Sequence, residues 1–145
     1  MKRLAVIVLA LAACTSSAPS VRPNGQLTGA VGPRQAVDMF LGAARAQDLQ
    51  AMSVVWGTSK GPARDVVPRS QLEKRELVMQ CYLSHDKFQI LSETPGPGGS
   101  RIFGVSLVKG AMTRETTVQT VRGPSDRWYV QDVNLEPLKD LCASS

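Results

Sequence analysis

Few residues in this chain have the types and the spacing that enzyme chemistry needs. The single histidine, His85, precedes Asp86, and this is the only place where an imidazole and a carboxylate adjoin. No serine or free cysteine follows them in a known nucleophile motif. Because a histidine at the end of a helix also interacts favourably with the helix dipole, we predict a structural role for His85. The sequence therefore assigns no catalytic residue.

Metal, phosphate and nucleic-acid sites are also poorly represented. One histidine and three cysteines leave few ligands for a metal centre, and the methionines are scattered along the chain. The glycines of segment 95–100 do not lie between a strand and a helix, as a phosphate-binding loop requires. No long block of like charges occurs, although the formal net charge is +5. We predict no cofactor, no metal and no nucleic-acid partner.

The first residues carry the pattern of an export signal. Lys2 and Arg3 precede the uninterrupted apolar run Leu4–Ala10, and the motif Leu11-Ala12-Ala13-Cys14 follows it. A helix needs roughly 20 residues to cross a bilayer core of about 30 Å, so this run is too short to span a membrane. Basic residues, a short apolar run and small residues before a cleavage point are typical of a signal peptide, which we assign to residues 1–13.

The motif Leu11-Ala12-Ala13-Cys14 closely resembles a bacterial lipobox, in which lipoprotein signal peptidase cleaves before the cysteine. The resemblance implies that Cys14 becomes the first residue and carries acyl chains such as palmitate, and two or more chains hold a protein firmly on its membrane. Thr15, rather than Asp, resembles lipoproteins passed to an outer membrane. We expect a lipid-anchored cell-envelope protein, on the outer membrane facing the periplasm rather than on the inner membrane. An ordinary secreted protein with a chance cysteine is the alternative.

Two cysteines, Cys81 and Cys142, remain after lipidation of Cys14. Outside the cytoplasm two thiols in a small domain usually pair, and only one connectivity within the chain is available. Closing a loop of about 60 residues stabilises a domain by roughly 4 kcal/mol in the chain-entropy model. We expect a Cys81–Cys142 disulfide, with two buried thiols as the alternative. No redox role is expected because the chain has no C-x-x-C spacing.

Composition divides the rest of the chain into a tether, one domain and a short tail. Residues 14–32 are rich in Ser, Pro, Gly, Asn and Thr, which predicts a flexible tether. Residues 33–142 have the apolar patterning of one folded domain, and residues 143–145 form the tail. A chain of 145 residues is of one-domain size.

Helical spacing dominates the first part of the domain. Pro33 suits the first turn of a helix. Apolar residues after it share one helical face: Ala36, Val37, Phe40, Leu41 and Ala44. Asp48 is placed to cap a second short helix, and a loop is predicted over 57–68. The capping-box spacing of Ser70-Gln71-Leu72-Glu73 opens a third helix. This third helix is expected to bury Leu77, Val78, Cys81 and Tyr82.

Later segments alternate with a period of two and predict four strands: 87–93, 101–109, 113–122 and 127–135. Turn residues separate these strands, and short links favour antiparallel hairpins. The predicted class is α+β, with three N-terminal helices packed on a four-stranded antiparallel sheet.

Segments 36–44 and 47–52, followed by Trp56, look like the first two helices of the nuclear transport factor two-like superfamily. The strands, with a final Trp128-Tyr129-Val130, are similar to its closing strands. The resemblance implies a curved sheet wrapped into a cone, as in SnoaL-like and cystatin-like folds. Small bacterial lipoproteins of unassigned function with this fold are the nearest likeness. Such domains often dimerise through the sheet, so a homodimer is one expectation.

In such a cone, large amphipathic side chains near the mouth can line a ligand pocket. The residues that fit this role are Trp56, Tyr82, Trp128 and Tyr129. Aromatic residues on helices and strands are more often plain core, and Trp128 and Tyr129 point to opposite faces of one strand. A pocket and a filled core both stay open at this point.

These observations favour a non-enzymatic, lipid-anchored envelope protein that binds a small ligand or a protein partner. The membrane, through lipidated Cys14, is the other expected partner. The first alternative is an enzyme similar to the cyclases or isomerases of the same superfamily, with a general base inside the cone. The second is a structural or assembly factor without a pocket.

Overall fold

The computed structural model describes residues 27–144; residues 1–26, which include the predicted signal peptide and Cys14, and Ser145 lie outside the described part. Four helices precede the main sheet: α1 (Pro33–Ala46), α2 (Leu49–Val55), α3 (Ala63–Val66) and α4 (Arg69–Tyr82). Two short strands, β1 (Gly57–Thr58) and β2 (Gly61–Pro62), lie between α2 and α3. The later elements are β3 (Lys87–Pro95), β4 (Arg101–Lys109), β5 (Met112–Arg122), β6 (Trp128–Val133) and α5 (Lys139–Ala143).

The main sheet is a four-stranded antiparallel meander in the order β3-β4-β5-β6, which confirms the predicted α+β class and strand pairing. Phe103 in β4 lies opposite Val118 in β5. The pairing skips Leu91 in β3 and Gln131 in β6, so each of these strands has a bulge. Bulges increase the local bend and twist of a strand, and these two lie on the two outer strands of the sheet.

Helix α1 supplies the largest helical contribution to the core. Pro33 occupies its first turn, and Ala36, Val37, Phe40, Leu41 and Ala44 are all buried, as their spacing predicts. These side chains belong to one continuous cluster with a single face of the sheet, which includes Phe103, Val105, Leu107 and Val118. The space between α1 and the sheet is therefore filled by apolar side chains.

The segment before α1 packs on the domain. The Gly29 N–H donates to the Val54 carbonyl at 2.8 Å, and Ala30 exchanges two backbone hydrogen bonds with Trp128, each 2.8 Å long. Ala30 is only 1% exposed. Residues 28–30, which the composition assigned to the tether, thus cover the edge of β6, and the packed domain starts before residue 33.

The segment 57–68 contains regular structure where the sequence predicted a loop, and this raises the number of helices before the main sheet from three to four. Gly57 pairs with Pro62 across the β1–β2 hairpin. A Cβ atom on Gly57 would lie 2.4 Å from the Gly61 carbonyl oxygen, so the close approach of the two strands requires glycine there. Strands of two residues show no alternation, which is why the hairpin was missed.

Helix α4 starts in a different way from the predicted capping box. Its N-cap is Pro68, and no side chain caps the first turn. Because the helix already begins at Arg69, Ser70 lies inside the first turn and not at the cap position. Glu73 instead accepts a hydrogen bond from Arg69 Nε at 3.2 Å.

Helix α4 also turns a different face inward from the one expected. Leu77 and Val78 are 56% and 52% exposed, whereas Glu76 is 4% exposed. The prediction that Leu77 and Val78 are buried was wrong because helical periodicity shows which side chains share a face, not which face meets the core. Cys81 and Tyr82, expected on the same face, are half-buried.

Candidate functional site

Cys81 and Cys142 come together between α4 and α5. Their Cα atoms are 4.7 Å apart and their sulfur atoms lie at disulfide distance. This Cα separation is within the usual range for a disulfide. The Lys109 ammonium donates to the Leu141 carbonyl at 2.8 Å, so β4 holds α5 as well. The cysteine pair ties the last described helix to the end of α4.

The four aromatic residues considered for a pocket lie in different environments. Trp128 is 7% exposed in the main core, with the Arg122 guanidinium 5.2 Å from its ring centroid. Tyr129 is also buried but is not part of that core cluster. Tyr82 and Trp56 are half-buried and pack against the edge of the core. The structure therefore does not gather them into one pocket.

Tyr129 is held by backbone that approaches its ring closely. A Cβ atom built on Gly29, Gly57 or Gly123 would come within 2.9 Å of ring atoms of Tyr129. The Tyr129 hydroxyl is 2.8 Å from Thr28 Oγ1, so its polar end has a partner. These contacts fasten the segment before α1 and the β1–β2 hairpin to β6, and Tyr129 also lines a surface depression of about 270 Å³ with Thr28 and Arg127.

The surface depression beside α4 combines apolar walls with positive charge. We call it the α4 cleft, and it has a volume of about 330 Å³. Its lining residues are Trp56, Lys74, Arg75, Val78, Met79 and Leu135. A further depression of about 250 Å³ continues it along β6, sharing Trp56, Arg75, Met79 and Leu135 and adding Gln131, Asp132 and Val133. Residues from three distant parts of the chain thus form one groove.

The α4 cleft is lined by two positively charged residues and by no carboxylate. Lys74 and Arg75 are exposed, and within residues 27–144 neither forms a salt bridge or a side-chain hydrogen bond. The one carboxylate of the groove, Asp132, lies in the β6 extension and not among the residues of the α4 cleft itself. The apolar part of the groove is therefore bordered by two cations.

A second, polar depression of about 300 Å³ lies on the inward side of α4. It is lined by Gln50, Ser53, Arg64, Arg69, Leu72, Glu73 and Glu76. Glu76 Oε1 has no hydrogen-bond partner within the part of the chain that the structure describes. Desolvation by burial, and to a smaller extent the nearby Glu73 carboxylate, raise the pKa of Glu76 above its ordinary value of 4.5.

We expect Glu76→Gln to stabilise the protein at pH 7 and to have less effect near pH 4. Because the folded-state pKa of Glu76 is raised, the folded protein keeps a proton on Glu76 that the unfolded chain releases above pH 4.5. The free energy of unfolding of the wild-type protein therefore falls as pH rises above 4.5. Thermal unfolding at several pH values measures the effect. Glu115→Gln, at an exposed position of β5, is the matched control. Equal stabilisation by both variants would contradict the assignment.

His85 occupies a buried position between α4 and β3 and is 6% exposed. Its Nδ1 lies 2.6 Å from the Leu83 carbonyl, which can only accept, so Nδ1 carries the proton of the neutral ring. Phe88 packs edge-on against the imidazole at 5.6 Å between centroids. Within residues 27–144 Nε2 has no partner, and no serine or thiol approaches it by hydrogen bond. Because α4 ends at Tyr82, burial and the Leu83 hydrogen bond, and not the helix dipole, hold His85 in place.

Acid should weaken the fold through His85. Desolvation by burial is the main cause that lowers the pKa of His85 below 6.5; Arg45 adds to it, while the Leu83 hydrogen bond and Asp86 oppose it. Below about pH 6.5 the unfolded chain binds a proton at His85 while the imidazole in the folded protein stays neutral. The free energy of unfolding therefore falls as pH drops below about 6.5. Because His85 is the only histidine, its NMR titration is unambiguous. A His85 pKa above 6.5 would contradict this prediction.

Among residues 27–144 no three His, Cys, Asp or Glu side chains gather closely enough to hold a metal ion. Over the same residues no helix is both long and apolar enough to span a membrane. The fold and clefts define a small α+β domain with a four-stranded antiparallel meander and open surface depressions. Comparisons with protein-family models, curated proteins and solved structures find no match to this chain.

Proposed function

We propose that this protein is a non-enzymatic, lipid-anchored binding protein of the bacterial cell envelope. The observation that carries the proposal is the motif Leu11-Ala12-Ala13-Cys14 directly behind a basic start and a short apolar run. Acyl chains on Cys14 hold the protein on the membrane, and Thr15 favours the outer membrane facing the periplasm. A buried methylene contributes about 0.8 kcal/mol, so two acyl chains are enough for stable attachment.

The cysteine pair supports the proposed compartment. Cys81 and Cys142 lie at disulfide distance, and disulfides persist mainly outside the reducing cytosol. In the cytosol these two thiols would stay reduced, and α4 and α5 would not be cross-linked. The two cysteine roles, lipidation and pairing, therefore fit the same location.

We also propose that the domain is a nuclear transport factor two-like cone. The order of a long α1, a short α2 capped by Asp48 and a closing meander supports this assignment. The bulges at Leu91 and Gln131 supply the bending that a wrapped sheet needs. A homodimer through the sheet belongs to the same proposal.

A binding role is supported by the positions of the filled core and of the open cleft in the described domain. Apolar side chains fill the region between α1 and the sheet, where a superfamily enzyme would place its general base. The α4 cleft is open and holds no paired acid and base. An open apolar cleft with polar residues at its border is suited to holding a ligand.

One feature keeps an enzyme as the second candidate. Glu76 is buried, unpartnered within residues 27–144 and raised in pKa, which are properties of catalytic carboxylates. It lies on the inward side of α4 and not between α1 and the sheet. Turnover of a small carbonyl compound by the purified protein, lost in Glu76→Gln, would replace the binding proposal with this one.

Cys14→Ser tests the anchoring proposal. We expect the wild-type protein to stay with membranes through a high-salt wash and to enter the detergent phase on partitioning. The Cys14→Ser protein should not, because its acyl attachment site is gone. Thr15→Ser, a neighbouring change that leaves the cysteine in place, should behave as wild type. Equal membrane retention of wild type and Cys14→Ser would overturn the proposal.

A further inference from the structure

We propose that the α4 cleft binds a small amphipathic anion: a free molecule with one short apolar chain or ring and a single carboxylate or phosphate group. The proposal rests on the binding function proposed above and names its ligand class. It is carried by two features of the same groove, the apolar walls and the two cations without partners in the described chain.

The walls of the α4 cleft select an apolar body. Trp56, Val78, Met79 and Leu135 contribute indole, aliphatic and thioether surface, and Val78 is 52% exposed. Covering such surface is favourable because it removes apolar area from water. A volume of about 330 Å³ is at the lower end of small-molecule sites, which range over about 300–1,000 Å³. The cleft therefore holds one short chain or ring and not a pair of long acyl chains.

The two cations select an anionic head group. Lys74 and Arg75 are consecutive on α4, and both border the apolar part of the groove. A guanidinium binds a carboxylate or phosphate through two parallel hydrogen bonds, and an adjacent ammonium adds a point charge. The alkyl stems of both side chains cover apolar surface while their charged ends stay in water. A ligand with an anionic end and an apolar end matches this arrangement.

Asp132 sets the direction in which the ligand lies. Its carboxylate is in the β6 extension of the groove, which Arg75 also lines and Lys74 does not. An anionic head placed beside Asp132 would be repelled, so the head group lies at the Lys74 end of the groove and the apolar body lies along Trp56 and Met79. Replacing the Asp132 charge should strengthen binding of an anion.

Two other occupants of this groove, a second copy of the chain and a bilayer surface, are distinguished from a free anion by experiment. In a symmetric dimer formed through this face, Lys74 and Arg75 meet their own copies only if the two-fold axis passes through them, so the oligomeric state decides this case. The α4 cleft is open to solvent and has a volume of about 330 Å³, which fits one short chain or ring, and vesicle binding distinguishes a bilayer surface from this occupant. A free amphipathic anion matches both the small volume and the two adjacent cations.

Three probes with the same eight-carbon chain test the head-group preference: octanoate, 1-octanol and octylammonium. The protein is used with Cys14→Ser, so no acyl chain of its own competes and the result does not depend on anchoring. Amide and indole NMR shifts report where each probe binds, and Trp56 fluorescence in Trp128→Phe, which leaves one tryptophan, reports affinity. We expect octanoate to bind at least about tenfold more tightly than octylammonium, with shifts at α4, Trp56 and Leu135.

Charge variants separate this site from general attraction to a basic protein. Lys74→Glu with Arg75→Glu should weaken octanoate about tenfold or more, and Asp132→Asn should strengthen it. Arg34→Glu removes an exposed cation from α1 and should leave octanoate affinity unchanged. Affinity that ignores the head group, or an Arg34→Glu effect equal to that of the double variant, would overturn the proposal.

Two further outcomes are decisive. Binding to phosphatidylglycerol vesicles without binding of octanoate would overturn the free-molecule assignment in favour of a bilayer surface. Self-association that buries the groove, measured by sedimentation, would overturn it in favour of a second copy. Absence of octanoate binding would leave the lipidation of Cys14 unaffected, so failure of this inference is distinguishable from failure of the anchoring proposal.

Discussion

The variant with Cys81→Ser and Cys142→Ser is expected to lose about 4 kcal/mol of unfolding free energy relative to the oxidised protein. The two cysteines are 61 positions apart, so a bond between them removes much of the freedom of the unfolded chain. A domain of this size has a total stability of about 5–15 kcal/mol, and the loss is therefore a large share of it. Urea unfolding in a Cys14→Ser background, where these are the only thiols, measures the change.

Reduction provides the matched control for the cysteine variant. Dithiothreitol should lower the stability of the parent protein by a similar amount and should leave the double serine variant unchanged. Thiol labelling of unreduced, denatured parent protein should find neither Cys81 nor Cys142. Full labelling of both residues, or a parent protein indifferent to dithiothreitol, would show that the cross-link does not form.

Phe40→Ala is expected to destabilise the domain by about 3–5 kcal/mol, the usual cost of truncating a buried phenylalanine. Phe40 is completely buried in the cluster that joins α1 to the sheet. Its removal leaves a cavity at a point where close-packed neighbours relax only partly. The measurement is the free energy of unfolding from urea titration, with the slope checked for an unchanged unfolding mechanism.

Met39→Ala is the matched control because it lies next to Phe40 on the same helix and is 38% exposed. We expect it to change stability far less, since a partly exposed side chain contributes less burial. Similar losses for both variants would mean that α1 is not packed on the sheet through the face that contains Phe40.

The sequence was most informative where one periodic pattern spans a whole element. The spacing from Ala36 to Ala44 predicted the buried face of α1, and alternation predicted the antiparallel meander of β3 to β6. Both patterns arise from many residues that must all face one core. They therefore outweigh the local preferences of single residues.

The buried face of helix α4 could not be predicted from the sequence pattern. Its pattern offers two partly apolar faces, and the structure buries Leu72 and Glu76 while it exposes Leu77 and Val78. The choice between such faces depends on which neighbours the rest of the fold supplies. The α4 cleft could not be predicted either, because Trp56, Arg75 and Leu135 lie far apart in the sequence and only the tertiary fold brings them together.

Some signals of the cleft were nevertheless present in the sequence. Lys74 and Arg75 lie beside Leu77 and Val78 in one helix, a combination of cations and apolar side chains that a fully buried face would not carry. Trp56 was selected as an amphipathic aromatic and does line the cleft. The other three aromatic residues do not line it.

The central claim is that an acyl-modified Cys14 attaches this domain to a membrane outside the cytosol. Mass spectrometry of the amino-terminal peptide, from protein extracted out of the native membrane fraction, tests it most directly. The account predicts a peptide that begins at Cys14 and carries two or three acyl chains. A soluble cytosolic protein that retains residues 1–13 and an unmodified Cys14 would contradict it.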